Sequence, residues 1–251
     1  MLLRWVGHAS ALVDAHGHRI LTDPLLTKRV AHLRRRRALP TPDVADVDTV
    51  LLSHAHLDHL HLPSLRRIRP TARILTPVGT GRLLRTAGFA DVDEVRIGDH
   101  VHLDGPSPVT IEVVPAAHKH GRGPHSPISA PPVGYVIQAD DRRVYFPGDT
   151  DLYDDMAALT DIDVALLPIW GWGSTLGTGH LDPSRAATAT RLIEPGIVVP
   201  IHWGTYAPED GRRAAPSWFG HPPRRFEAEL DDLGLSDRLL LLEPGEEMSV
   251  P

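Results

Sequence analysis

The segment Ser53-His54-Ala55-His56-Leu57-Asp58-His59 sets four potential metal ligands within six residues. Imidazole and carboxylate are donors that divalent cations take, and the chain has no cysteine to offer a thiolate. In an extended segment residues two apart point the same way, so His54 and His56 can present their imidazoles to one cation. Past the turn, Asp58 and His59 face a second cation beside the first. The chemistry this predicts is hydrolysis, in which two close cations acidify a bridging water and the resulting hydroxide attacks. Zinc is the first expectation for both ions, and an imidazole-rich set without sulfur leaves manganese and iron open.

Such a cluster needs strands to deliver it. Val50-Leu51-Leu52-Ser53 reads as a short buried strand ending where the histidines begin. Apolar runs at 11–13 and 19–21 flank Asp14-Ala15-His16-Gly17-His18, a hairpin signal, and 134–139 and 143–146 flank a second at Asp140-Asp141-Arg142. Further strands are expected at 73–76, 92–97, 110–114, 163–167, 197–201 and 239–242. Helices are expected at 63–68, 79–87, 184–192 and 224–233, the third opening at Asp182-Pro183. Strands and hairpins followed by helices, twice over, predict two packed sheets with helices outside, an α/β fold without Rossmann alternation. No linker divides the chain, so 1–251 reads as one domain. The basic stretch 28–37 reads as a solvated loop or helix face, with a substrate-facing role for one or two of its cations as the alternative, and Gly171, Gly173, Gly177 and Gly179 mark a candidate mobile loop.

The His54–His59 motif resembles the signature of the metallo-β-lactamase fold superfamily, and the likeness extends over nearly the whole chain. The resemblance implies a four-layer αββα sandwich. It also implies His118, in Pro115-Ala116-Ala117-His118, as the third histidine of the first metal. Asp149, in Phe146-Pro147-Gly148-Asp149-Thr150, is implied as a bridging carboxylate, and His202, in Pro200-Ile201-His202-Trp203-Gly204, as the last histidine of the second metal. Each follows a short apolar run. The residues alone leave His120 as a rival to His118 and Asp151 as a rival to Asp149, although Asp149 sits nearer its strand end. Trp5-Val6-Gly7-His8-Ala9 and Leu21-Thr22-Asp23-Pro24 resemble the branch that includes ascorbate-6-phosphate lactonase and N-acyl-phosphatidylethanolamine phospholipase D. Gly179-His180-Leu181-Asp182-Pro183 and Ile201-His202-Trp203-Gly204-Thr205 are similar to the latter. One departure is His61, where that branch commonly carries an acidic residue. The diiron oxygen-reducing members put Glu at the place of His56, and the glyoxalase-type members have glycines where Leu60-His61-Leu62 stands here.

The expectation is therefore a dinuclear metal-dependent hydrolase acting on a phosphoester or phosphodiester. A lactonase or carboxylic-ester hydrolase on the same metals is the alternative, and a non-catalytic metal-binding or regulatory module is an alternative of another class. Asp58 is expected to ligate and to direct the hydroxide. His180 is the candidate proton donor to the leaving group, weighed against a cap for the helix at Asp182. Asp23 and His8 are candidates to orient ligating imidazoles. Trp170, Trp172 and Trp203 are either an apolar substrate wall or core. His16, His18, His32, His100, His102, His125 and His221 read as surface or structural.

Bulk composition narrows the partners. The chain has 251 residues, 41% hydrophobic and 23% charged, with a net charge of −6 and 16 histidines. That is globular and argues against a nucleic-acid surface, which is usually strongly basic. The expected partner is a small-molecule or lipid-like ester. The N-terminal residues show no signal peptide, and no apolar stretch is long enough to span a bilayer, so the reading is cytoplasmic. Oligomeric state is not legible.

Overall fold

Alternation within the first strands explains the layers. Strand β1 (Leu2–Gly7) turns Leu3 and Trp5 toward one cluster of buried side chains and Val6 toward another. β2 (Ser10–Ala15) does the same with Ala11 and Val13 against Leu12, and β3 (His18–Thr22) with Ile20 against Leu21. A period of two puts successive side chains on opposite faces, so a sheet apolar on both faces must be covered on both. A computed structural model describes residues 1–39, 46–105, 107–123, 126–209 and 215–251.

After β4 (Arg29–Val30) and β5 (Leu33–Arg35) come β6 (Thr49–Leu51), β7 (Arg73–Pro77) and β8 (Val92–Val95). The first sheet has seven strands in the order β16-β1-β2-β3-β6-β7-β8, with β16 at Glu247–Ser249. The second has six strands, β9 (His100–Leu103), β10 (Val109–Pro115), β11 (Val133–Ala139), β12 (Arg142–Phe146), β13 (Val164–Pro168) and β14 (Ile197–Ile201), lying in reverse order. Trp5, Val13 and Leu51 of the first sheet share a core with Ile111, Tyr135 and Leu166 of the second. Helices α1 (Leu62–Leu65) and α2 (Gly81–Thr86) bury Leu65 and Leu84 on the outer face of the first sheet, with Val6, Leu52 and Ile74. Helices α3 (Pro183–Ile193) and α4 (His221–Asp232) place Ala186, Ile193, Phe226 and Leu230 against the second. The architecture is the αββα sandwich expected.

Two expectations are corrected. Residues 239–242 form no strand: the chain makes one bridge, Leu239 to Val198, and leaves through Pro244-Gly245 to reach β1 as β16. Residues 28–37 are not a solvated face throughout. β4 and β5 pair, and β5 adds β15 (Tyr206–Pro208) to make a small third sheet. It buries Val30, Leu33 and Tyr206 with Leu25, while Arg29 and Arg34 stay exposed and meet Glu209. Arg35 turns inward and donates to the carbonyls of Val6 at 2.7 Å and Leu25 at 3.1 Å.

Candidate metal centre

β10, β12, β13 and β14 all run the same way, so their C-terminal ends lie on one rim of the second sheet. His118, Asp149 and His202 follow three of those ends, and the His54–His59 turn follows β6 on the facing sheet. Part of the backbone strain lies at this rim. His8, Asp23 and His202 hold φ of 57°, 29° and 60°, a region that non-glycine residues seldom occupy. Gly148, at φ +64°, lies so close to Ser53 that a Cβ would collide with that side chain. The two sheets meet there, one residue before Asp149 and one before His54.

The hydrogen bonds around this turn fix where each proton sits. His202 Nδ1 lies 2.8 Å from Trp170 O, and His118 Nδ1 lies 2.5 Å from Gly179 O. A carbonyl only accepts, so both Nδ1 atoms carry hydrogen and both Nε2 atoms present lone pairs. His59 Nδ1 donates to Asp23 Oδ2 at 2.7 Å. Ser53 Oγ donates to Asp23 Oδ2 at 2.5 Å and therefore accepts from His54 Nδ1 at 2.9 Å. Four imidazoles thus turn their Nε2 atoms inward. Those of His59 and His202 stand 3.2 Å apart, and His54 and His118 Nε2 face His56 Nδ1 at 3.0 and 3.1 Å. Nitrogens this close call for something positive between them, a proton or a cation.

Asp149 supplies the other half of the argument. It is 3% exposed, and its Oδ1 is buried with no hydrogen-bond donor, although His202 Nε2 is 3.1 Å away. Its Oδ2 lies 3.2 Å from His59 Nε2 and 3.9 Å from His54 Nε2. A buried carboxylate oxygen without a donor, surrounded by imidazole lone pairs, suits a cation. The donor atoms fall into two groups of mutually close atoms: His54, His56, His118 and Asp149, and His8, Asp58, His59 and His202. A third grouping, Asp23 with His54 and His59, is spent on hydrogen bonds, because Asp23 also accepts from Ser53 N at 2.7 Å.

Burial pushes His54 and His118 below the usual imidazole range, His56 down to about 4 and His202 to about 3, so these four are neutral donors at neutral pH. Burial lowers His59 too, but the carboxylates of Asp149, Asp58 and Asp23 outweigh it and raise His59 well above the usual value. A cation bound beside these carboxylates would answer the same negative charge. Burial alone would raise Asp58 and Asp149. The neighbouring imidazoles, His59 for Asp58 and His202 with His59 for Asp149, win and hold both well below the ordinary carboxylate range.

All seven sequence-predicted ligand positions therefore converge, and the rivals do not. His120 is exposed, and Asp151 pairs with Arg185. Asp23 does orient an imidazole, that of His59. His8 instead meets a carboxylate, with Nε2 3.1 Å from Asp58 Oδ2. The position of His61 is occupied by a bond to Ser64 Oγ at 2.7 Å.

A cavity of about 530 Å³ opens over Asp58 and Asp149, and His56 and His180 line it. His180 is not the helix cap: Asp182 takes that part, accepting from Arg185 N at 2.9 Å. His180 Nδ1 donates to Gly177 O at 3.2 Å, and its Nε2 lies 3.5 Å from Asp149 Oδ2. Burial would lower its pKa, but the Asp149 carboxylate outweighs burial and raises it. The three tryptophans divide. Trp203 stacks on Trp5 in the core at 5.4 Å between centroids, and Trp170 is spent on Gly173 O. Trp172 lines the cavity, 37% exposed, with the His32 ring edge-on at 5.0 Å. His32 is exposed, in keeping with its sequence context, and also lines the cavity beside Trp172. His125 lies outside the described residues. Sequence reasoning missed Arg122 on the cavity wall, and no motif marks it.

A family model described as the beta-lactamase superfamily domain matches residues 18–203. The chain is 34% identical to a metal-dependent hydrolase of Methanopyrus kandleri over 251 residues, covering 98% of each. It is 30% identical to N-acyl-phosphatidylethanolamine-hydrolyzing phospholipase D 1 of Caenorhabditis elegans over 225 residues, which is 80% of this chain and 63% of the worm protein. Among solved structures, the metallo hydrolase Igni18 of Ignicoccus hospitalis aligns with a TM-score of 0.73 and 27% identity, over 98% of this chain and 97% of the other. No helix among the described residues is long and apolar enough to cross a membrane.

Proposed function

The chain belongs to the metallo-β-lactamase superfamily as a metal-dependent hydrolase, and from that premise we propose that it binds two divalent cations and cleaves a phosphodiester. One observation carries the reading: two groups of inward-facing donors share a rim with Asp149, whose Oδ1 has no other partner. His54, His56 and His118 would hold one cation, and Asp58, His59 and His202 would hold the other, with the Asp149 carboxylate within reach of both groups. Zinc suits this nitrogen-rich set best. When bound, the cations supply Lewis-acid polarisation and a water acidified toward neutrality, and a two-metal clamp suits in-line displacement at phosphorus.

The protein's own residues direct the rest. Asp58, held by His8 at 3.1 Å, accepts a hydrogen bond from the attacking water and fixes its line of approach. His180, whose pKa the Asp149 carboxylate raises against burial, faces the cavity and is placed to give a proton to the leaving oxygen. Asp23 keeps His54 and His59 in the tautomers that leave Nε2 free. The likeness to the worm phospholipase D, which by its name hydrolyses a lipid phosphodiester, supports phosphorus over carbon as the reacting centre and a lipid-like ester as substrate.

The test is hydrolysis of bis-p-nitrophenyl phosphate and of simple lactones by the full chain, stripped with chelator and reloaded with zinc or manganese. Phosphodiester turnover that saturates at two metal equivalents is the expected result. Lactone hydrolysis with an inert phosphodiester overturns the choice of substrate. Saturation at one equivalent overturns the pair of cations.

A further inference from the structure

Among the described residues, Arg122 is the one permanently charged cation lining the cavity. Its backbone is pinned, with its N–H donating to Ile128 O at 3.1 Å beside a bridge between Gly121 and Ser129. Its guanidinium is pinned as well. Nη1 donates to Ala55 O at 2.8 Å and to Leu60 O at 3.1 Å, the carbonyls on either side of the Asp58 turn. No ion pair among the described residues includes Arg122, and its Nε and Nη2 meet no acceptor among them. The exposed cations of the basic stretch differ, since Arg29 and Arg34 both meet Glu209. Burial disfavours the charged form of Arg122, so its charge is held at a cost that no carboxylate offsets.

We propose that Arg122 is a specificity-determining residue that binds an oxyanion of the substrate, a phosphate oxygen or a carboxylate, through the donors left free by the Ala55 and Leu60 carbonyls. A guanidinium held in one orientation by two bonds to the backbone presents its remaining N–H groups as a ready fork, the geometry that matches phosphate and carboxylate. The same two bonds tie the anion site to the turn that carries His56 and Asp58, so an oxyanion held there lies beside the reacting centre. This rests on the proposed reading only in taking the cavity as the place where substrate enters.

The test compares wild type, Arg122→Gln and Arg122→Lys as metal-loaded full chains on three substrates. Bis-p-nitrophenyl phosphate carries the charge on the reacting group, mono-p-nitrophenyl succinate carries it on a pendant carboxylate, and p-nitrophenyl butyrate is neutral. Arg122→Gln is expected to lower kcat/KM for at least one anionic substrate tenfold or more relative to the neutral one, chiefly through KM, with Arg122→Lys between. Which anionic substrate responds identifies the source of the oxyanion. Equal losses on all three substrates, or no loss, overturn the proposal and leave Arg122 as a prop for the turn. Should Arg122→Gln fail to fold, Arg122→Lys carries the comparison by the same criterion. Calorimetry with phenylphosphonate separates this inference from the reaction proposed above. Affinity at least tenfold weaker in the variant supports Arg122 even if no ester is turned over. Unchanged affinity sinks it even if the phosphodiester is cleaved.

Discussion

Asp23 and Asp149 are both buried carboxylates at strand ends, one on each sheet, and their surroundings are opposite. Asp23 is saturated: Ser53 N, Ser53 Oγ and His59 Nδ1 all donate to it at 2.5 to 2.7 Å. Asp149 is placed among lone pairs, and its Oδ1 has no donor. A carboxylate with its donors supplied by the fold is a strut, and one left without them is a ligand in waiting. The histidines between the two transmit the difference. Each donates one ring proton toward a fixed acceptor, Asp23 for His59 and a carbonyl for His118 and His202, and turns its other nitrogen toward Asp149's side of the rim.

Substituting the two carboxylates should separate turnover from stability. Asp149→Asn is expected to lower turnover on the order of 10³-fold by removing the carboxylate that the two proposed cations would share. In the metal-free protein it should cost less than Asp23→Asn, because imidazoles hold the Asp149 carboxylate and no backbone N–H does. Asp23→Asn is expected to weaken metal binding about 10- to 100-fold. It should lower metal-free stability by about 1 to 3 kcal/mol through lost hydrogen bonds. Metal titration and thermal melting with and without chelator read both pairs. A larger metal-free loss for Asp149→Asn than for Asp23→Asn would abolish the contrast.

A third change probes the point where the two environments touch. Gly148→Ala drives a Cβ into Ser53 and places a side chain at φ +64°, which should cost about 1 to 3 kcal/mol. Adding Ser53→Gly should restore part of the loss in the melt, and no restoration would show that the contact does not set the sheet spacing. The smallest effect serves as a control far from the rim. Glu94 accepts from Gly79 N and Gly81 N at 2.7 and 3.1 Å. Burial would raise its pKa, but these bonds and Arg85 outweigh burial and lower it. Its stabilising contribution is therefore present above its unfolded value and is lost as pH falls. Glu94→Gln should cost less than about 1 kcal/mol at neutral pH. The gap from wild type should close in acid, whereas a gap that widens there would reverse the assignment.

How much of this was readable beforehand differs by region. The His54–His59 turn declared itself because four donors of the right chemistry lie within six residues, and a strand period of two aims them. His118, Asp149 and His202 needed the family resemblance, because each is an ordinary residue after an ordinary apolar run. Arg122 gave no signal at all. A lone arginine in a loop reads as solvated until another segment is folded over it, as the turn with Ala55 and Leu60 is here. The apolar run at 239–242 misled for a related reason: hydrophobicity states that a segment is covered, not that it pairs with a strand.

The sequence by itself determined which residues alternate between faces, where strands end, and that a nitrogen- and oxygen-donor site without sulfur would sit at one of those ends. Only the tertiary structure decided which proton each imidazole keeps, which of two buried carboxylates lacks donors, and which cation faces the cavity. Periodicity is a local property of the chain. Hydrogen-bond partners and counter-charges here come from residues far apart in the chain, 61 positions for His118 and Gly179 and 143 for His59 and His202, and exist only once the sheets have closed.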